Sequence, residues 1–287
     1  MNKTKVLVCV LIIVLVLLSA ANMILYNQTR YLNRDNNEFR TRSEMLSILT
    51  QLQFQLNSEL RKLDQDLLTA SQQFSSMSLQ GDEARTVLDN LVASNSYIIN
   101  AATVDKNDVI VAAGPSEYRG IEGMYIGDQD PSIVLQRTKR PVMSNVIRLV
   151  EGFDDAFMET PIFTDDGLFV GYLSIVFDPA TIVQATVTPV LNGTPYVMFA
   201  IQLDGRVIYD HDPAQLGKIF PSDPVYHDYP ELVNLGRRMV AEKSGYGTYE
   251  FYKTLESNEV MKKEAYWTTI GIHDTEWRLV IIHIMSE

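Results

Sequence analysis

The chain has a single cysteine, Cys9, and it falls inside an apolar run near the start. An intramolecular disulfide framework and a cysteine-based metal site are therefore excluded. Positive charge is scarce as well. Lys3 and Lys5 are the only charged side chains before Tyr26, and beyond them 22 basic residues face 36 acidic ones, a formal charge of −14. A surface that acidic repels polyphosphate, and no basic stripe with interleaved aromatics offsets it, so nucleic acid is excluded as a partner. Also absent are a G-x-S-x-G elbow, a P-loop, an H-E-x-x-H pair and a G-x-G-x-x-G turn. Without them the residues point to no enzyme, no metal and no cofactor.

What is present begins with an uncharged stretch. Val6 to Ala21 is uncharged and the apolar character resumes at Met23-Ile24-Leu25, so Val6 to Leu25 is 20 residues, about the length a helix needs to cross the hydrocarbon core. Such a run must be helical, because a bilayer offers no partners to backbone polar groups. The expectation is an uncleaved N-terminal transmembrane anchor over residues 1–26. The alternative is a signal peptide cut after Ser19-Ala20-Ala21. Lys3 and Lys5 favour an inside N-terminus, but Arg30, Arg34, Arg40 and Arg42 follow closely, so charge alone leaves orientation open.

From Tyr26 to Gln80 there is neither proline nor glycine. Apolar residues recur at Leu46, Leu49, Leu56, Leu60, Leu63, Leu67, Ala70, Phe74 and Met77, with steps of four and three from Leu56 onward. That is a heptad seam, and Gln53 is its one polar member. A long helix over residues 27–80, a stalk or spine, is expected. Its seam packs either along the domain that follows or in a homodimer coiled coil.

After Gly81 the period changes. Asp82 is placed to cap a short helix through Val87, Leu88, Leu91 and Val92. Tyr97–Val104 and Val109–Ala113 flank a polar turn and read as a hairpin. A glycine-rich loop and a helical piece near Ser132–Arg137 lead to strands at Val142–Val150, Ala156–Phe163 and Leu168–Phe177, then a helix from Asp178-Pro179 to about Val190. The same order returns: a hairpin at Tyr196–Leu203 and Arg206–Asp210, a loop with helices, and strands at Tyr246–Tyr252, Val260–Ile270 and Glu276–Ile284. Matching Val104 with Leu203 and Pro161 with Ala265 gives an offset of about 100 residues, so the repeat is one of pattern order. The fold class expected is α+β: a long N-terminal helix, then two modules over 81–190 and 191–287, each with an antiparallel sheet of about five strands.

This succession resembles the double Cache extracytoplasmic sensor domains, which carry two PAS-like modules behind a long helix. The resemblance covers roughly Tyr26 to Ile284. It rests on Pro161-Ile162-Phe163 through Gly167-Leu168-Phe169-Val170-Gly171-Tyr172-Leu173, on Asp204-Gly205-Arg206-Val207-Ile208-Tyr209-Asp210, on Leu216-Gly217-Lys218, and on Gly245-Tyr246-Gly247-Thr248-Tyr249 with the Trp277 strand. It implies a cell-membrane protein whose C-terminal part is extracytoplasmic and senses a small organic ligand (an organic acid, amino acid or amine) in the membrane-distal first module; with the one N-terminal run, the expectation is a single-pass protein. The aromatic-Arg-Trp-Tyr pattern of the amino-acid-binding members is missing, since Trp267 and Trp277 both fall in the second module. The sequence ends at Glu287 soon after the last strand, so a separate signalling protein is an expected partner.

By the same resemblance, Tyr118, Arg119, Tyr125, Asp128, Asp130 and Arg137 are the residues placed to reach the ligand. Arg119 and Arg137 suit a bidentate carboxylate clamp, or equally surface ion pairs in an acidic domain. Tyr118 and Tyr125 fit pocket walls or plain packing; Asp128 and Asp130 fit an ammonium ligand, although Asp130-Pro131 also fits a helix start. Asp154-Asp155 reads as a turn rather than a catalytic dyad. Asp210-His211-Asp212 has metal-ligand chemistry, but reads more simply as a strand end running into a cap before Pro213. His227, His273 and His283 read as loop or edge residues. An exported enzyme and a structural subunit assembled through the long helix are the competing functions.

Overall fold

The computed structural model describes residues 3–257 and 259–285, with backbone only for 3–14 and 16. It separates into two compact units, residues 1–47 and 48–287. The first belongs to helix α1 (Lys3–Gln73). Half of the run Val6–Leu25 lies outside the described side chains, and among the described residues no helix is long and apolar enough to cross a membrane.

The second unit starts with the rest of α1. Leu49, Leu52, Leu56, Leu60, Leu63, Leu67 and Ala70 are buried along one face. The seam therefore lies on the chain's own domain, with Leu52 rather than Gln53 completing it. Gln53 turns to a polar contact, donating from Nε2 to the Thr269 carbonyl at 2.8 Å. Asn57 Oδ1 accepts the Gly271 amide at 3.0 Å, and Asp64 Oδ1 meets His273 Nε2 at 2.7 Å. The helix stops at Gln73, short of the expected Gln80. Ser71, Ser75, Ser76 and Ser78 explain the early end, because serine hydroxyls compete for backbone partners and favour turns. Leu79 in that stretch accepts the Thr103 hydroxyl at 2.5 Å.

Helix α2 (Asp82–Ser94) leads into strands β1 (Ile98–Asp105) and β2 (Ile110–Gly114), a 3₁₀ turn (Ser116–Ile121) and helix α3 (Asp130–Thr138). Strands β3 (Val142–Met143), β4 (Ile147–Arg148), β5 (Asp154–Phe163) and β6 (Phe169–Phe177) follow, then helix α4 (Pro179–Leu191). The single strand expected over Val142–Val150 is instead two short pieces on the flank of β5. Between them the Val146 amide donates to the side-chain oxygen of Gln202 in the second module, which pulls this stretch out of the sheet. Asp178 caps α4 by accepting the Ala180 amide at 2.8 Å.

The second module holds β7 (Tyr196–Gln202), β8 (Val207–Asp210), helix α5 (Pro230–Ala241), β9 (Gly245–Tyr252), β10 (Val260–Ile272) and β11 (Thr275–Ile284). Its sheet order is β8-β7-β11-β10-β9, and that of the first module is β2-β1-β6-β5-β3 with β4 beside β5. Both sheets are antiparallel and the two orders are the same path, so the α+β reading with two modules holds. Each first hairpin also carries a bulge, at Thr103/Val104 and at Ala200/Ile201. Aligned on these bulges, Val104 matches Ile201 and, along the paired rows, Pro161 matches Thr269. The pairs Val104–Leu203 and Pro161–Ala265 are corrected accordingly; strand register fixes the match, and sequence offset does not.

Loop caps account for several acidic groups. Asp212 Oδ1 accepts the Ala214 amide at 3.2 Å before the Pro213 turn, and its Oδ2 accepts the Leu255 amide at 2.7 Å. Buried Arg278 donates from Nε to the carbonyls of Met239 and Glu242 at 3.0 and 2.9 Å, closing the C-terminal end of α5.

Candidate functional site

Register sorts the first sheet into two faces. Asn100, Ala102 and Val104 on β1 lie in rows with Val176, Ser174 and Tyr172 on β6 and with Phe157, Glu159 and Pro161 on β5. Over this face sit the 3₁₀ turn, α3 and the segment around β4. Ala102, Val104 and Tyr172 pack there with Ile121, Ile126 and Leu135. Arg85 on α2 holds the loop in place with a two-pronged pair, Nε and Nη2 to Glu122 Oε1 and Oε2 at 2.9 and 2.7 Å.

Beneath that cover lies a cavity of about 20 Å³, lined among others by Asn100, Gln129, Glu151, Phe157 and Ser174. A wider groove of about 380 Å³ opens outside it between Asp128–Pro131 and Ile147–Val150. The two share Gln129, Leu149 and Val150 as a common wall. The inner space holds about one water.

The polar groups of this face are acidic or neutral. Asn100 Nδ2 donates to Glu151 Oε1 at 3.0 Å. Asp155 is half-buried, and desolvation together with Asp178, Asp154 and Glu151 pushes its carboxyl up to about 7. Glu159 is fully buried and receives one hydrogen bond, from Ser132 Oγ at 3.0 Å; its Oε2 has no partner among the described residues. Burial pushes its carboxyl up to about 8. The Tyr118 hydroxyl is raised by its own burial and by Glu117, Glu151 and Asp155. No lysine, arginine or histidine lines the cavity among the described residues.

Residues 58–179 match the family model for the sensor domain of HK/GC/chemotaxis-like proteins. The match covers this first module and the α1 segment beneath it. Among solved structures, an extracellular ligand-binding receptor from Desulfohalobium retbaense is 31% identical with a TM-score of 0.70, over 84% of this chain and 40% of that one. The chain thus spans well under half the length of that receptor. The sensory domain of the Campylobacter jejuni chemoreceptor Tlp3, with isoleucine bound, is 12% identical with a TM-score of 0.62, over 86% of this chain and 94% of that one. The Pseudomonas aeruginosa chemoreceptor domain PctC, in complex with GABA, is 14% identical with a TM-score of 0.56, over 84% and 99%. No curated protein matches the chain. The two-module arrangement is that of the Cache-type sensor domains, as the sequence resemblance implied.

Within this module the six expected residues separate. Asp128 and Asp130 line the outer groove, and Tyr118 is half-buried near Glu151 and Asp155. Arg119 is exposed and pairs with Asp89 at 3.4 Å. Tyr125 is 57% exposed and bridges backbone to Val109. Arg137 lies exposed on α3. The polar groups lining the cavity that the sequence reading passed over are Asn100, Gln129, Glu151 and Ser174, and Glu159 beside them shares the same sheet face. One signal was available. Asp155, Phe157 and Glu159 share one side of β5 by simple alternation, and a glutamate inside an otherwise apolar strand asks for a partner.

Proposed function

We propose that the chain is an extracytoplasmic sensor, anchored by Val6–Leu25, whose distal module takes a small ligand bearing an ammonium group, either an amine or the amino end of an amino acid. The observation that carries this reading is the charge of the distal cavity: Glu151 lines it, Asp155 and Glu159 share its sheet face, and no cation lines it among the described residues. Asp128 and Asp130 form the entrance at the groove, where Arg148 also lies, paired with Asp154 at 3.2 Å. Binding parts the wall at Gln129, Leu149 and Val150, favouring an open form over the closed one described. Asn95 Nδ2 donates to Asp66 Oδ2 at 2.9 Å, and Leu79 accepts from Thr103. Through these contacts a shift of the first sheet reaches α2 and α1, and α1 carries it toward the membrane.

The near-closed cavity also favours a structural subunit that binds nothing. One measurement separates the two. The full chain is melted against amines, amino acids and organic acids, and a true ligand raises the midpoint steadily with concentration. Stabilisation by ammonium compounds that weakens in Glu151→Gln supports the sensor. A flat response across all three classes rejects it.

A further inference from the structure

The second module builds its own enclosed chamber with the opposite chemistry. Asp210, His211, Gln215, Tyr226, Tyr249 and Lys263 line a cavity of about 30 Å³ whose remaining walls are apolar. Lys263 is 3% exposed, and Tyr249, directly opposite it on β9, is also 3% exposed. The ammonium donates to the carbonyls of Tyr252 and Lys253 at 2.5 and 3.5 Å. Three donors on two acceptors leave one unspent. The Tyr249 hydroxyl has no hydrogen-bond partner among the described residues. Asp210 is 9% exposed, and its Oδ1 accepts the Asp212 amide at 2.8 Å and meets His211 Nδ1 at 2.9 Å. Its Oδ2 has no donor among the described residues.

Lys263 and Asp210 are opposite charges lining one desolvated space, yet no ion pair joins them among the described residues. Buried charges left apart are costly, and burial lowers Lys263 to about 8 while it raises Asp210. Register adds an independent observation. On the bulge alignment Trp267 takes the place of Glu159, so Lys263, four residues earlier, takes the place of Asp155. The two modules thus carry opposite charges at one position of the same sheet.

We propose that the proximal cavity is a second ligand site, for a short carboxylate that also carries a hydroxyl or ammonium donor. The carboxylate lies at Lys263 and Tyr249, and the donor end lies at Asp210 Oδ2. The cavity holds about two waters, so a short-chain molecule replacing them satisfies all three groups, and longer chains are excluded. The proposal stands apart from the distal reading, because neither site shares a residue with the other.

The test is hydrogen exchange on the full chain with glycolate, lactate, glycine and alanine as two-ended probes, and acetate and ethylamine as single-ended controls. The expected result is slowed exchange over residues 207–216 and 249–263 with a two-ended probe, and binding about tenfold weaker for either control. Tyr249→Phe leaves the Lys263 contacts to the β9–β10 loop intact, so it reports on the ligand rather than the fold. It should weaken binding by about threefold to tenfold. Lys263→Met should abolish it. The proposal is overturned if no two-ended probe protects these segments, if protection is confined to the distal residues 98–163, or if acetate binds as tightly as lactate. Protection in the distal segments is read separately, so either site can fail without the other.

Discussion

Ser132 Oγ lies 3.0 Å from Glu159 Oε1, and this is the only hydrogen bond the buried carboxyl receives among the described residues. One hydroxyl on one oxygen suits a carboxylic acid better than a carboxylate, and the surroundings agree by raising Glu159 from 4.5 to about 8. The sign of the pH dependence follows. Between those two values the folded state holds a proton that the unfolded chain has released, so stability falls as pH rises from about 4.5 to 8. Denaturant melts of the wild type should lose on the order of 5 kcal/mol across that window. Glu159→Gln should flatten the curve and be the more stable protein at pH 8. An unchanged slope in the glutamine variant would disprove the assignment.

The contact between α1 and the second module rests on a few polar pairs. Asp64 Oδ1 and His273 Nε2 are 2.7 Å apart and both are largely covered. Asp64→Ala leaves the imidazole without its partner and should cost about 1–2 kcal/mol in denaturant unfolding. Because Gln53 and Asn57 bind neighbouring backbone of the same hairpin, Asp64→Ala with Asn57→Ala should depart from additivity, which a double-mutant cycle reads directly.

Gly171 marks a close approach. Its φ is +153°, and a Cβ there would stand 2.1 Å from the Val104 carbonyl oxygen and 2.9 Å from Leu79 Cδ1. Gly171→Ala should therefore destabilise by about 2–4 kcal/mol, combining strain and overpacking. Gly152 at φ +94° has open space where a Cβ would go, so Gly152→Ala should cost only about 1 kcal/mol. Thermal melts of the two variants side by side check the ranking.

The parts legible in the sequence were those fixed locally. Asp204-Gly205 and Asp165-Asp166-Gly167 announce tight turns, alternation around them marks the strands, and Asp178-Pro179 announces the start of α4. The Leu49–Ala70 seam was legible as a seam, but what covers it was not, since periodicity gives a face and no partner. The end of α1 was missed because serine shortens a helix more gently than glycine or proline does. The site was the least legible part. Tyr118 to Arg137 lie close in sequence to the loop over the cavity, and several point outward. Asn100, Ser174 and Glu159 come from three different strands and meet only through register. The charge reversal between Asp155 and Lys263 is hidden for the same reason.

Lys263 gives the last prediction, with the opposite sign to Glu159. Its ordinary value of 10.5 falls to about 8 in the folded chain, with desolvation outweighing the pull of Asp210 and Asp212. Between those values the unfolded chain binds the proton that the folded one has lost, so this group adds stability as pH rises from about 8 to 10.5. Below pH 8 the folded state bears the cost of a buried ammonium, on the order of 2–3 kcal/mol. Lys263→Met removes that charge at similar volume, but it also strips the Tyr252 and Lys253 carbonyls of a donor. The variant should therefore be near neutral or somewhat stabilised at pH 7, and its advantage should shrink as pH approaches 10. Parallel denaturant melts of wild type and variant at these two pH values supply the difference, and a gap that widens with pH would mean the lysine is stabilised by its burial rather than strained by it.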